Sequence, residues 1–207
     1  MDFGLSEDQE MLQRSAREFL ARECPAVVVR QATQGPAGAS DVVERKIAEM
    51  GWAGLLVPET YGGLGLGMLD VAVLLGELGR VAAPGPFLFS AVLATRAIVM
   101  AGSPAQKQEW LPKLAHGEAT ATVALLEESD RLDPPGVRVR ARRLGAAYRI
   151  SGTKLFVPYA NTADLLITAC RTAGASQPVR RHVHPGRHGP SGAGRDGSRV
   201  ASPVPDE

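Results

Sequence analysis

Apolar residues recur at helical spacing through the first hundred positions and at alternate or continuous positions after residue 120, predicting helices first and strands afterwards. Leu12, Ala16, Phe19 and Leu20 form one stripe of a first helix. Ser6 with Gln9 makes its capping box, and Glu7 and Asp8 sit at its positive end. Pro25 ends it. A second helix starts at Ser40 and runs through Val43, Ile47 and Met50 to Gly51. PETYGGLGLG, residues 58–67, reads as loop, and its glycines lack the strand–turn–helix setting of a dinucleotide fingerprint. A third helix places Leu69, Ala72, Leu75 and Leu78 on one side, and a fourth runs from Phe87 to Ala101 before Gly102. Ser103, Pro104 and Gln106 then supply an N-cap, a first-turn proline and a capping-box glutamine for another.

From Thr120 the runs are TATVALL, VRVRARR, YRIS, KLFV and DLLITA, short and separated by turns such as Ser151-Gly152. VRVRARR alternates cleanly, so its arginines belong on a strand face that meets water. The order implies an α+β chain: a helical domain over residues 1–117 and a small β domain over residues 118–170.

Composition changes this picture at one place. Residues 1–170 hold 17 Lys+Arg and 19 Asp+Glu, whereas residues 171–207 hold six Arg and three acids. That tail has no Leu, Ile, Phe, Met, Trp or Tyr, and carries three of the four histidines. It cannot bury enough apolar area to offset its ordering entropy and is expected to be disordered. A metal site at His182, His184 and His188, a basic arm for nucleic acid and a flexible linker are the functional readings of it. The preferred reading is a shifted frame, because the codons for Pro178 to Arg187, read one base later, can encode LFVDTSTPGV.

For the whole chain the net charge is +1, which implies no general attraction to nucleic acid or membrane. The acidic N-terminus does not read as a signal peptide, and no apolar run reaches the roughly 18 residues of a membrane span. Cys24 and Cys170 suggest neither a disulfide framework nor a metal site, so a cytoplasmic protein is the expectation.

Several words of residues 1–170 resemble the acyl-CoA dehydrogenase family in order and spacing. They are FGLSEDQEMLQ, GWAGLLVPETYGGLG, GSPAQKQEWLPKLAHGEATATVAL, ISGTK and DLLITAC. The resemblance implies an N-terminal helical domain, a partial middle β-barrel, and a C-terminal four-helix bundle that would follow and is absent here. A strand much like LFLVD and a proline-glycine-valine would come after DLLITAC, which the shifted frame nearly supplies. The implied chemistry is α,β-dehydrogenation of an acyl-CoA thioester: a glutamate removes the α-proton while FAD takes the β-hydrogen as hydride. The implied partners are the acyl-CoA substrate, like subunits in a homo- or hetero-oligomer, and an electron-transfer flavoprotein, with no nucleic acid and no membrane.

The resemblance places the glutamate beyond residue 207, so Glu59, Glu127 and Glu128 are expected to be solvated surface carboxylates. It places the flavin against Leu125, Leu126, Ser129, Phe156 and Pro158. Two departures weaken that site. Leu126 stands where the family has a threonine hydroxyl, and Phe156-Val157-Pro158 replaces tryptophan-isoleucine followed by threonine or serine. The lost donors are worth ~1 kcal/mol each, so FAD is expected to be weakened or lost. The chain alone is expected to be inactive, and the alternative is a non-catalytic structural subunit of a heteromeric dehydrogenase.

Overall fold

The computed structural model describes residues 4–34, 41–145, 147–172, 180–185 and 199–200. Helix α1, Glu7–Glu23, starts on the expected capping box: the Gln9 N–H donates to the Ser6 hydroxyl, and the Gln9 side chain accepts from the Ser6 N–H. Ala16, Phe19 and Leu20 are its buried residues. Pro25 ends α1 and also opens α2, Ala26–Gln34, which the sequence reading missed. The Pro25 carbonyl accepts from Val28 and Val29 at the new helix start. Helix α3, Asp41–Glu49, turns Val43 and Ile47 into the same core, where Phe19 meets Trp52 edge-on at 5.0 Å.

The loop after α3 holds two 3-10 turns, Trp52–Gly54 and Glu59–Tyr61, and folds back on itself. The N–H groups of Leu64, Gly65 and Leu66 donate to the carbonyls of Gly54, Val57 and Leu55. Gly63 permits this approach, since a Cβ there would lie 2.1 Å from the Val57 carbonyl oxygen.

Helix α4, Met68–Arg80, corrects the expected face. Leu69 and Ala72 are exposed, and the buried side is Val71, Val73, Leu74, Glu77 and Leu78. Apolar residues run nearly round this helix, so spacing alone could not choose the side. In the fold Val71, Leu74 and Leu78 pack with Ala16, Phe19 and Leu20 of α1, and Arg17 pairs with Glu77 beside that seam, Nη2 to Oε1 at 2.7 Å. The predicted Phe87–Ala101 helix exists, but its first part is a π-helical segment, Leu88–Ala94, that passes directly into α5, Thr95–Ala101. Helix α6, Pro104–Ala115, uses the Ser103–Gln106 box as expected.

Two three-stranded sheets follow, and the described residues form no closed barrel. Strand β1, Ala121–Ala124, runs parallel to β4, Leu165–Cys170, which pairs antiparallel with β5, Arg180–Pro185. Strands β2, Arg140–Leu144, and β3, Ala147–Ser151, form a hairpin joined by β6, Arg199–Val200. A bridge between Arg140 and Arg171 links the sheets. β1 and β4 share a core with α5 and α6: Ala121, Leu165 and Ile167 pack with Ile98, Trp110 and Leu111.

KLFV, expected as a strand, is not one. Phe156 has φ +50°, in the left-handed region that breaks extended pairing. Within residues 171–207, the described segments 180–185 and 199–200 pair as strands β5 and β6. Sheet edges offer unpaired backbone groups, so pairing there needs no large apolar side chain. The rest of that tail, including His188, and the side chains of His182 and His184 lie outside the described residues. No helix among the described residues is long and apolar enough to cross a membrane.

Candidate functional site

The two segments expected at a flavin, residues 125–129 and 156–158, come from distant parts of the chain and lie side by side. The Leu155 N–H donates to the Leu126 carbonyl at 2.9 Å. The Thr122 hydroxyl donates to the Pro158 carbonyl at 2.7 Å. Lys154 Nζ donates to the Leu125 carbonyl at 2.9 Å and to Glu127 Oε1 at 2.8 Å. Phe89 of the π-helical segment reaches the second strip, 6.0 Å from Tyr159 between ring centroids.

Glu127 corrects the expectation of a solvated carboxylate. It is buried, and besides Lys154 it accepts from the backbone N–H groups of Arg138 at 2.9 Å and Val139 at 3.1 Å. Burial pushes its pKa up. The Lys154 ammonium and the two backbone donors outweigh that and hold the carboxyl below its ordinary range. Glu59 and Glu128 are exposed, as expected of surface carboxylates. Sequence reasoning missed the Glu127–Lys154 pair because partners 27 positions apart leave no local signal.

The expected site residues offer surface more than hydrogen bonds. Leu125 is exposed, Leu126 and Pro158 are half-buried, and Phe156 is 84% exposed. Phe156 and Tyr159 both hold positive φ, at +50° and +55°. Such backbone costs about 1 kcal/mol or more per residue and concentrates at functional sites. Two neighbouring hydroxyls are already engaged: Thr122 on Pro158, and Ser129 on the Gly136 carbonyl at 3.2 Å. A flavin ring presents an apolar face and a polar edge that needs donors. Phe156 suits the face, but Leu125, Leu126 and Pro158 bring no side-chain donor, and Pro158 has no N–H. The side chains of Leu125, Leu126, Phe156 and Pro158 therefore offer a flavin edge no hydrogen-bond donor.

Two clefts open nearby. One, of about 270 Å³, is lined by Glu127, Glu128, Ser129, Arg138 and residues 151–153. The other, of about 410 Å³, lies between α3, the Pro84–Phe87 corner and residues 116–120, and contains none of the expected flavin residues.

Comparison with known proteins agrees with this architecture. Residues 6–118 match the family model "Acyl-CoA dehydrogenase, N-terminal domain". Mitochondrial isovaleryl-CoA dehydrogenase of Pongo abelii is 27% identical over 182 residues, covering 87% of this chain and 43% of that protein. The solved ChsE4-ChsE5 complex from Mycobacterium tuberculosis is 28% identical with a TM-score of 0.79, over 89% of this chain and 49% of that one. A glutaryl-CoA dehydrogenase from Mycobacterium smegmatis, solved in complex with FADH2, is 26% identical with a TM-score of 0.75, over 87% and 46%. The chain thus spans less than half the length of these relatives. With residues 6–118 matched by the family model and 89% of the chain covered by a solved structure of the same architecture, the chain belongs to the acyl-CoA dehydrogenase family.

Proposed function

We propose that this chain is the front part of an acyl-CoA dehydrogenase subunit, one that serves α,β-dehydrogenation of an acyl-CoA thioester within an oligomer and does not retain FAD by itself. The observation that carries this reading is the apolar strip of Leu125, Leu126, Phe156 and Pro158, beside which the Thr122 and Ser129 hydroxyls are engaged. In this reading those four residues and Ser129 face the flavin ring, and the redox chemistry belongs to the flavin when one is bound. Electrons would leave to an electron-transfer flavoprotein. Residues 1–117 act as the helical domain, residues 118–170 as part of the β domain, and residues 171–207 as a frame-shifted addition.

None of the three weighed carboxylates is suited to be the base. Abstracting an α-proton calls for a carboxylate whose pKa burial has raised. Glu127 is held low by Lys154 and two backbone N–H groups, and Glu59 and Glu128 are in water.

A second reading is a structural subunit that completes the site of a flavin-bearing partner. It is favoured by the missing donors and by the likeness to ChsE4-ChsE5, which is a complex of two named components. The visible spectrum of the purified full-length protein tests both. Expressed alone it should carry little flavin, and a flavin-competent partner subunit should make the complex yellow. Stoichiometric flavin on the protein alone would contradict both readings.

A further inference from the structure

The cleft between α3, the Pro84–Phe87 corner and residues 116–120 has no part in the flavin-facing reading. Its volume of about 410 Å³ lies within the roughly 300–1,000 Å³ of small-molecule sites. Ile47 and Ala48 of α3, with Phe87, Ala91 and Leu114, give it apolar walls. Pro84 and Pro86 fix the backbone of the corner. Gly117, at φ +67°, lets residues 116–120 close on α3, since a Cβ there would lie 2.5 Å from the Ala48 Cβ. The walls are thus in place before a ligand arrives, which lowers the cost of binding.

One polar group of the cleft has a proton to give. Ser90 is only 8% exposed and lines the cleft. Its hydroxyl oxygen accepts from the Ala121 N–H, and its carbonyl accepts from the Thr95 hydroxyl. The Ser90 O–H itself donates to no acceptor among the described residues. Buried donors are normally satisfied by protein, water or ligand. The ionisable residues of the cleft are of both signs, Glu44 and Glu49 against Arg45 and His116, so they favour neither an anion nor a cation.

We propose that this cleft binds a compact, neutral, largely apolar molecule carrying a ketone oxygen. The oxygen accepts from the Ser90 hydroxyl, and the apolar body packs on Ile47, Phe87 and Leu114. A group that only accepts suits a hydroxyl whose own oxygen is already engaged by Ala121. The site is distinct from the strip of residues 125–129 and 156–158, none of which lines it.

Ligand-observed NMR titration of the full chain with propiophenone, beside propylbenzene, in which a methylene replaces the carbonyl, tests the proposal. Both probes should bind. Ala48→Leu, which narrows the cleft from α3 and leaves Ser90 in place, should weaken both by about tenfold or more. Ser90→Ala should lower the ratio of ketone to hydrocarbon affinity about fivefold, the worth of one hydrogen bond. Both probes meet the same variant, so any loss of its stability cancels from that ratio. Phenylpropanoate, an anionic counterpart, should bind no tighter than propiophenone. Absent binding, an unchanged ratio in Ser90→Ala, undiminished affinity in Ala48→Leu, or tighter binding of the anion would each overturn the proposal.

Discussion

Lys154 and Glu127 form a salt bridge of 2.8 Å in which each side chain is only 9% exposed. Through it three segments are fastened together: Leu125–Glu127, the turn before Phe156, and the entry to β2 at Arg138–Val139. Removing one partner of a buried pair leaves the other charge without compensation. Lys154→Met should therefore destabilise the chain by about 3 kcal/mol. Adding Glu127→Gln should recover part of that loss, because the stranded charge is gone. Denaturant melts of the single and double variants check both statements.

Acid should unfold the chain through particular carboxylates. Glu127 is held low as described. Glu77 is held low by its hydrogen bonds to Arg17 and Arg80, against the opposing effect of burial. A carboxyl whose pKa is depressed on folding contributes stability above its unfolded pKa, and that contribution is lost as pH falls through the folded value. Stability should hold from neutral pH to about 5 and fall below about 4.5, with a shallower fall in Glu77→Gln. At the alkaline end, burial pushes the Cys170 thiol up to about 11. The unfolded chain then ionises first, and stability should decline above about pH 9. Thermal melts across the pH range read out both slopes.

Ser90 joins the π-helical segment to the first strand. Its hydroxyl accepts from the Ala121 N–H at 3.0 Å, in a buried setting. Ser90→Ala leaves that N–H without an acceptor, a loss of about 1–3 kcal/mol. Hydrogen exchange should show the Ala121 amide losing protection before the rest of β1, whereas retained protection would mean that the two elements are held by packing alone.

Much of the fold was legible because its signals are local. The Ser6–Gln9 and Ser103–Gln106 boxes mark the starts of α1 and α6, and the VRVRARR alternation predicts the exposed arginines of β2. What was missed depends on distant partners. The α4 face packs on Ala16, Phe19 and Leu20 of α1, about fifty to sixty positions away, and Glu127 is held by Lys154 and the N–H groups of Arg138 and Val139. KLFV looked like a strand by composition, and only its folded setting shows the positive φ at Phe156. Helix α2 escaped because Pro25 reads as a stop, although the same residue also starts the next helix.

The chain keeps the family's architecture, and the central proposal is that it does not retain FAD by itself. FAD titration of the chain and of a Leu126→Thr, Pro158→Thr variant, followed by flavin fluorescence, tests it most directly. Two restored donors at about 1 kcal/mol each should tighten binding roughly thirtyfold. The account predicts weak or undetectable binding to the unaltered chain and a clear gain in the variant. Tight binding to the unaltered chain, with no gain from the two substitutions, would contradict it.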